Sequence, residues 1–261
     1  KHKHLQRFIA PFIAGKVPVI VQLMATDAHL AAETARMLTG FPEVGGININ
    51  FACPSRQVVR HGAGGGQLRN PAEMFAIASE IRSAIPDLSL SVKLRCGFED
   101  AVEILDWING FKFCGVEFAV VHCRTVKEMY TALPASERIQ RLYAVVAAAD
   151  GLPIVANGDI YAPEDGVEYL NAADFAGLMA GRGLFRDPYL LRRLSGCDAL
   201  APEVGSRFFF NKYLEISRRD GKVLYRSSLL ETARMIWGAG SPLFKTVLNW
   251  NDEEMKCAQI I

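Results

Sequence analysis

The sequence predicts a parallel α/β protein, a (β/α)8 TIM barrel of which about six βα units are visible, with a C-terminal all-helical domain. Short apolar segments alternate with helical ones. The apolar segments lack polar alternation, as in parallel strands buried on both faces. A polar residue ends strand after strand, which favours one ring of strand ends over the single switch point of a doubly wound sheet.

Six segments carry the apolar, β-branched character of buried strands. They cover residues 17–23, 46–51, 88–94, 116–122, 153–156 and 175–180. The polar side chains at their ends are Gln22, Asn50, Lys93, His122, Asn157 and Arg182.

Helical spacing predicts a helix after each of the first five strands. These helices cover residues 30–38, 71–84, 100–109, 136–149 and 163–170. Asp27 is suited to cap the first helix, and Pro163 occupies the first turn of the last one.

The rhythm changes near Pro188, after which 207–219, 225–237 and 242–248 show helical spacing without a strand. We therefore predict a barrel domain over 1–188 and a helical domain over 189–261. A closed barrel needs eight units. The pattern predicts that two N-terminal units are missing from the protein or lie outside this sequence, rather than a functional half-barrel with an exposed sheet edge.

Composition indicates a soluble globular chain of one large domain, or of one large and one small domain: it has 261 residues, half of them apolar, and a net charge of +1. No apolar run approaches about 18 residues and no signal peptide opens the chain, so we expect neither a membrane span nor export. Six cysteines without a Cys-x-x-Cys pair favour free thiols in the cytoplasm over disulfides or a metal site.

Basic residues concentrate in the tail. From Pro188 onward 11 Lys and Arg stand against 8 Asp and Glu, a net of +3, whereas the remainder has a net charge of −2. This asymmetry fits a polyanionic partner, and a solvated helix face explains it equally well.

Cys53 is the first candidate for catalysis. The segment Ile-Asn-Phe-Ala-Cys-Pro-Ser at 49–55 leads into Arg-His-Gly-Ala-Gly-Gly-Gly at 60–66. That order places one thiol on an exposed turn at the carboxyl end of a strand, although a buried packing cysteine is the ordinary alternative. Unperturbed thiols are mostly protonated near neutral pH, and a neutral thiol can act as a general acid.

Two glycine motifs predict a phosphorylated cofactor. Gly-Leu-Met-Ala-Gly-Arg-Gly at 177–183 and Ala-Asn-Gly-Asp-Ile at 156–160 follow late strands, where barrels bind phosphate. Glycines let backbone N–H groups approach the phosphate, and Arg182 adds a charge-assisted bond. A Gly-Arg-Gly motif alone is weak evidence, because it occurs in many turns. The prediction depends on the two glycine motifs occurring one βα unit apart.

The two strands between these sites end in cationic residues. Val-Lys-Leu-Arg at 92–95 and Val-His-Cys-Arg-Thr at 121–125 supply them. A lysine in an apolar strand is costly unless it meets an anion or an electron-rich ring, or its chain extends to solvent. Together these residues suit a flavin or a pyrimidine carbonyl.

These five motifs, in this order and spacing, resemble the tRNA-dihydrouridine synthase family, nearest its C-type bacterial members. The resemblance is strong over 17–188 and looser in the tail. It implies an FMN-dependent flavoprotein oxidoreductase whose barrel holds the flavin and whose helical domain grips tRNA. It also implies NADPH as the reductant, with NADH left open, in a cytoplasmic monomer.

The resemblance further implies a role for each matched residue. Cys53 matches the catalytic cysteine. Contacts to the isoalloxazine or ribityl group are expected from Gln22, Lys93 and His122. The ribityl phosphate end is expected to contact Asn157, Gly158, Asp159, Gly181 and Arg182. The target uracil is expected to lie near Asn50, Arg95 and Arg124.

The implied reaction reduces the 5,6 double bond of a uridine in tRNA: hydride passes from flavin N5 to C6, and Cys53 protonates C5. The base must leave its stack, and cations stabilise the enolate. The chain departs from the family at Asn48, usually aspartate, and at Ala52 and Cys123, usually glycine. The family's first two strands have no counterpart.

Two alternatives stay open. Another FMN barrel oxidoreductase, such as dihydroorotate dehydrogenase, also carries an asparagine and a Cys-Pro near a strand end. A non-catalytic tRNA-binding protein would use the helical tail and a degenerate barrel. His-Cys-Arg-Thr and the basic tail favour RNA over a small acid as substrate. The sequence does not indicate which uridine is modified.

Overall fold

The structure, a computed structural model, describes residues 18–219 and 226–251. Within those ranges six strands form one parallel sheet, in which each strand pairs with the next in chain order. The strands are β1 (Val19–Leu23), β2 (Val44–Asn50), β3 (Ser89–Arg95), β4 (Phe118–His122), β5 (Ile154–Asn157) and β6 (Gly177–Met179). Consecutive parallel strands with intervening helices confirm the predicted α/β class and form a partial TIM barrel.

Helices alternate with the six strands, and after β6 the described chain contains helices and no further strand. The α-helices are α1 (Ala28–Leu38), α2 (Arg56–Arg60), α3 (Pro71–Ala84), α4 (Gly110–Phe113), α5 (Ala135–Ala148), α6 (Pro163–Ala172), α7 (Gly183–Arg186), α8 (Leu190–Leu194), α9 (Pro202–Arg219), α10 (Arg226–Trp237) and α11 (Pro242–Leu248). Two 3-10 helices cover Gly64–Arg69 and Glu103–Asp106. The predicted cap is confirmed, because the Leu30 N–H donates to Asp27 Oδ1 at 2.8 Å.

The predicted helix over 100–109 is wrong. The Glu103 carboxylate accepts three backbone N–H groups from residues 98–100, at 2.7, 3.0 and 2.8 Å. These bonds tie the carboxylate to the loop that follows β3. The segment therefore forms only the 3-10 turn at Glu103–Asp106, with the short α4 beginning after it.

The central strands are buried on both faces, as predicted. Ile47, Ile49, Leu90, Val92 and Val121 have no exposed surface. The prediction of full burial is wrong for β6, whose three residues are all half-buried, and for β1, whose residues alternate between intermediate and exposed, with Ile20 53% exposed. β1 is an edge strand of the described sheet, so only β2 flanks it.

The chain divides into two compact units. The sheet unit comprises the described residues through Gly158 together with Tyr169–Met179, and the helical unit comprises Asp159–Glu168 and the described residues from Ala180 onward. A cluster around Phe210, Trp237 and Trp250 forms the core of the helical unit. The three predicted tail helices are confirmed, and α9 begins earlier than predicted. The division of roles between 1–188 and 189–261 stays a prediction.

In the part of the chain described here, no helix has the length and apolarity to cross a membrane.

Candidate active site

Cys53 lies just beyond the carboxyl end of β2, in a turn that Asn50 holds. Asn50 is the last residue of β2, and its Oδ1 accepts the N–H groups of Ala52 (2.9 Å) and Cys53 (3.0 Å). Asparagine commonly closes a turn onto the backbone that follows it. The Cys53 side chain is half-buried. The two hydrogen bonds to Asn50 hold the backbone that carries the thiol at this edge of the sheet.

The glycine-rich loop packs against Cys53. It forms the 3-10 helix Gly64–Arg69, and the Gly65 N–H donates to the Cys53 carbonyl at 3.0 Å. Gly64 has a φ of +54°, and a Cβ there would lie 2.9 Å from the Cys53 Cβ. Glycine is thus needed for a close approach at this position.

An amide network links the first three strands. Gln22 donates to Asn48 Oδ1 (2.7 Å) and accepts from Asn50 Nδ2 (3.0 Å). Asn48 in turn donates to the Ser91 hydroxyl at 2.9 Å. The structure therefore brings together Gln22 and Asn50, which the sequence predicted for the site, and adds Asn48 and Ser91, which it did not.

Lys93 carries a half-buried amine that is paired with an amide. Its Nζ donates to Asn157 Oδ1 at 3.0 Å, and Asn157 Nδ2 donates to the Met179 carbonyl at 2.6 Å. The pKa of Lys93 is lowered from 10.5 to about 8, first by burial and then by the neighbouring Arg95 charge, while Cys123 and Cys53 partly oppose the shift. Neutral Asn157 offers little compensation for a buried charge. Lys93 can thus gain or lose a proton closer to neutral pH than an ordinary lysine.

His122, the last residue of β4, is buried. Its Nδ1 lies 3.2 Å from the backbone N of Arg124 and accepts that N–H. In the neutral ring this contact places the proton on Nε2. The ring can therefore donate a hydrogen bond through Nε2.

Arg95 and Arg124 were predicted near the target uracil, and the structure places both guanidinium groups on backbone carbonyls. Arg95, 3% exposed, donates to Ala52 O at 2.9 Å and to Thr125 O and Met129 O at 2.8 Å each. Arg124, 1% exposed, donates through Nε to Thr131 O at 2.6 Å. Arg95 thus ties the Cys53 turn to the loop after β4.

An ion pair that the sequence did not predict also holds that loop. Arg141 on α5 binds both carboxylate oxygens of Glu128, at 2.8 and 2.9 Å, and donates to the Cys123 carbonyl at 3.2 Å. Hydrogen bonds from Arg141 lower the pKa of Glu128. Met129 beside it has a φ of +51°, which is uncommon for a non-glycine residue.

The end of β5 packs closely on Cys123. Gly158 has a φ of +133°, and a Cβ there would lie 2.6 Å from Cys123 Sγ. Cys123 is fully buried, and the Tyr169 hydroxyl donates to the Gly158 carbonyl at 3.0 Å. Cys123 therefore takes the space that a side chain at 158 would need.

The predicted phosphate residues of the helical unit form an ion pair. Arg182 donates to Asp159 Oδ1 at 3.2 Å, and its guanidinium lies 5.6 Å from the Tyr161 ring centroid. Space is open where a Cβ at Gly181 would be, whereas a Cβ at Gly183 would overlap the carbonyl oxygen of Ile160. Gly183, which the sequence did not single out, is thus the sterically required glycine of this motif.

Comparison with known proteins identifies related sequences. The family model described as dihydrouridine synthase matches residues 1–218. The chain is 34% identical over 181 residues to the tRNA-dihydrouridine(16) synthase of Cupriavidus necator, which covers 69% of this chain and 54% of that protein. It is 31% identical over 193 residues to the enzyme of the same name from Ralstonia nicotianae, covering 73% of this chain and 57% of that protein. The chain thus spans about half the length of the curated relatives it matches.

A solved structure shares the fold. It comes from Burkholderia cenocepacia J2315, where its assignment as a phosphonomutase is provisional. The TM-score is 0.50 at 18% identity, covering 70% of this chain and 76% of that one. The likeness concerns the fold alone.

Proposed function

The chain belongs to the dihydrouridine synthase family, and from that premise we propose that it is an FMN- and NAD(P)H-dependent oxidoreductase that reduces the 5,6 double bond of a uridine in tRNA. The observation that carries the proposal is Cys53 at the carboxyl end of β2, held on one side by Asn50 and on the other by Gly65. The relatives are named for position 16 of tRNA. We extend the tRNA substrate to this chain and leave the position open.

Cys53 supplies a proton to C5 of the uracil as the double bond is reduced. Such a step needs a thiol held at one place, because general acids act only within hydrogen-bond reach. Asn50 fixes the turn from the strand side, and Arg95 fixes it through the Ala52 carbonyl. Arg95 thus serves the uracil site as a positioning residue, and Arg124 stays the residue we expect near the uracil.

FMN, when bound, supplies the hydride that C6 receives, and NADPH supplies the electrons. The donors at the strand ends fit such a cofactor, because they include a half-buried amine, an imidazole N–H and an exposed amide. The residues that would face the ring and ribityl group are Lys93, His122 and Gln22. Those that would hold the phosphate end are Asn157, Gly158, Asp159, Gly181 and Arg182. The Arg182 side chain is 45% exposed, so its charge is accessible to an anion.

The remaining assignments follow from the same premise. The barrel part, 1–188, binds FMN and the helical part, 189–261, binds tRNA, with a net charge of +3 from Pro188 onward favouring a polyanion. We place the protein in the cytoplasm as a monomer.

The test reconstitutes the purified chain with FMN and runs two separate assays: unmodified bulk tRNA with NADPH as the reductant, and dihydroorotate with a quinone as the electron acceptor and no NADPH. We expect dihydrouridine in the tRNA and no oxidation of dihydroorotate. Oxidation of dihydroorotate without tRNA reduction would identify a different FMN oxidoreductase. Tight tRNA binding by a protein that takes up no flavin would instead identify a non-catalytic RNA-binding protein.

A further inference from the structure

A second concave site lies in the sheet unit, beside the 3-10 helix that follows Cys53. This Arg69 cleft is lined by Leu68, Arg69, Pro71, Phe98, Asp106 and Trp107, together with two further carboxylates. Its volume is about 530 Å³. Clefts of this size accommodate a small organic ligand such as a nucleobase.

Two flat groups face this cleft. The Arg69 guanidinium lies 3.7 Å above the centre of the Phe98 ring, in cation–π contact. Stacking leaves one face of the guanidinium open, and RNA bases stack on such faces as well as on aromatic rings. Trp107 is half-buried and packs edge-on against Phe111 at 6.4 Å between ring centroids, so the indole has a supported position in the wall.

The three carboxylates of the cleft differ in what they already bind. Glu99 pairs with Lys127 at 2.8 Å. Glu103 accepts the three backbone N–H groups of residues 98–100. Asp106 is exposed, and within residues 18–219 and 226–251 no hydrogen bond or ion pair engages its carboxylate. Asp106 is therefore the acceptor available to a ligand.

We propose that the Arg69 cleft binds an unpaired guanine base of the RNA substrate. The base would stack on Arg69 and Trp107, and its N1–H and N2–H groups would donate to the Asp106 carboxylate. Carboxylates recognise base edges that carry N–H donors. Three carboxylates line the cleft against one guanidinium, so a cationic ligand is the competing occupant, and the test includes one. The inference rests on the proposed function, which supplies the RNA.

The cleft and the catalytic thiol are joined by one short element. The 3-10 helix Gly64–Arg69 begins against the Cys53 side chain and ends in the guanidinium that lines the cleft. A guanine held at Arg69 would therefore set the position of the RNA relative to Cys53. Such a second contact would determine which uridine of the RNA lies at Cys53.

The test measures nucleotide binding by the full chain without reductant or turnover. GMP is titrated while tryptophan fluorescence is followed, and Trp107→Phe assigns the signal among the three tryptophans of the chain. Since charged hydrogen bonds are lost, Asp106→Asn should weaken GMP binding about tenfold and leave AMP binding unchanged. Asp87→Asn, at an exposed turn before β3, is the matched control and should bind like the wild type.

Equal affinity of GMP for the wild type and Asp106→Asn would overturn the inference. So would equal affinity for GMP and AMP, or preferential binding of free arginine as a cationic probe. The assay is independent of the proposed activity. If GMP binds as described while no tRNA is reduced, only the proposed function fails; if tRNA is reduced while GMP does not bind, only the cleft assignment fails.

Discussion

At the scale of single residues, Asn50 does the most to shape the candidate site. Its carboxamide oxygen holds the backbone of Ala52 and Cys53, and its nitrogen donates to Gln22. Only a side chain with both an acceptor and a donor can do both. The sequence predicted Asn50 at the site as a uracil contact, and the structure adds that it forms the turn on which Cys53 lies.

Gln67 is a second residue with a testable consequence. It lies in the 3-10 helix beside Cys53 with 2% of its surface exposed, and among the described residues neither amide atom has a hydrogen-bond partner. Replacing Gln67 by leucine should raise the free energy of unfolding by about 1–2 kcal/mol, because an unsatisfied buried amide is removed. Urea unfolding measures the change. Gln57→Leu, at an exposed position, is the control and should stay within about 0.5 kcal/mol. A less stable Gln67→Leu would show that the amide has a partner.

Lys93 makes stability depend on pH. Its pKa is about 8 in the folded chain against 10.5 for an ordinary lysine, so the unfolded chain binds more protons between those values. Stability should therefore rise with pH across that window. The stability of Lys93→Met should lack this rise. The difference between its free energy of unfolding and that of the wild type should therefore shrink by about 2–3 kcal/mol from pH 7 to pH 10.5. Urea unfolding at several pH values, under reducing conditions, measures the difference. A difference that is constant with pH would contradict the lowered pKa.

At the scale of elements, local signals predicted some parts and long-range contacts decided others. The strands were predictable because burial on both faces leaves continuous apolar runs, and α1 was predictable from its Asp27 cap. The loop after β4 was not, because it depends on Arg141 binding Glu128 and Arg95 binding Met129 O. Those partners lie 13 and 34 residues apart. No local pattern reports such pairs.

Gly158 and Cys123, the residues that directly follow β5 and β4, are in close contact. Gly158→Ala should destabilise the chain by about 2–4 kcal/mol, because the methyl group meets Cys123 Sγ and the φ of +133° is strained for alanine. In a Cys123→Ala background the loss of stability caused by Gly158→Ala should be smaller, because only the backbone strain at position 158 then remains. Thermal unfolding of the four proteins measures this coupling. Gly181→Ala, where space is open, is the control. Equal costs in both backgrounds would contradict the contact.

At the scale of the whole molecule, the fold brings strand ends that are far apart in the chain to one edge of the sheet. Consecutive parallel strands bring the residues that follow each strand to the same edge of the sheet. The sequence could predict which residues reach that edge, since strand ends are visible in it. It could not predict which side chains face a ligand and which bind backbone carbonyls, as Arg95 and Arg124 do. That distinction depends on loop conformations.

The most direct test of the central claim maps dihydrouridine in tRNA from cells that lack this gene. Re-expression of the wild type should restore the modification, and Cys53→Ala should not, because C5 then receives no proton from the protein. Cys197→Ala, which removes an exposed cysteine of the helical unit, should restore it fully. Full restoration by Cys53→Ala would contradict the account.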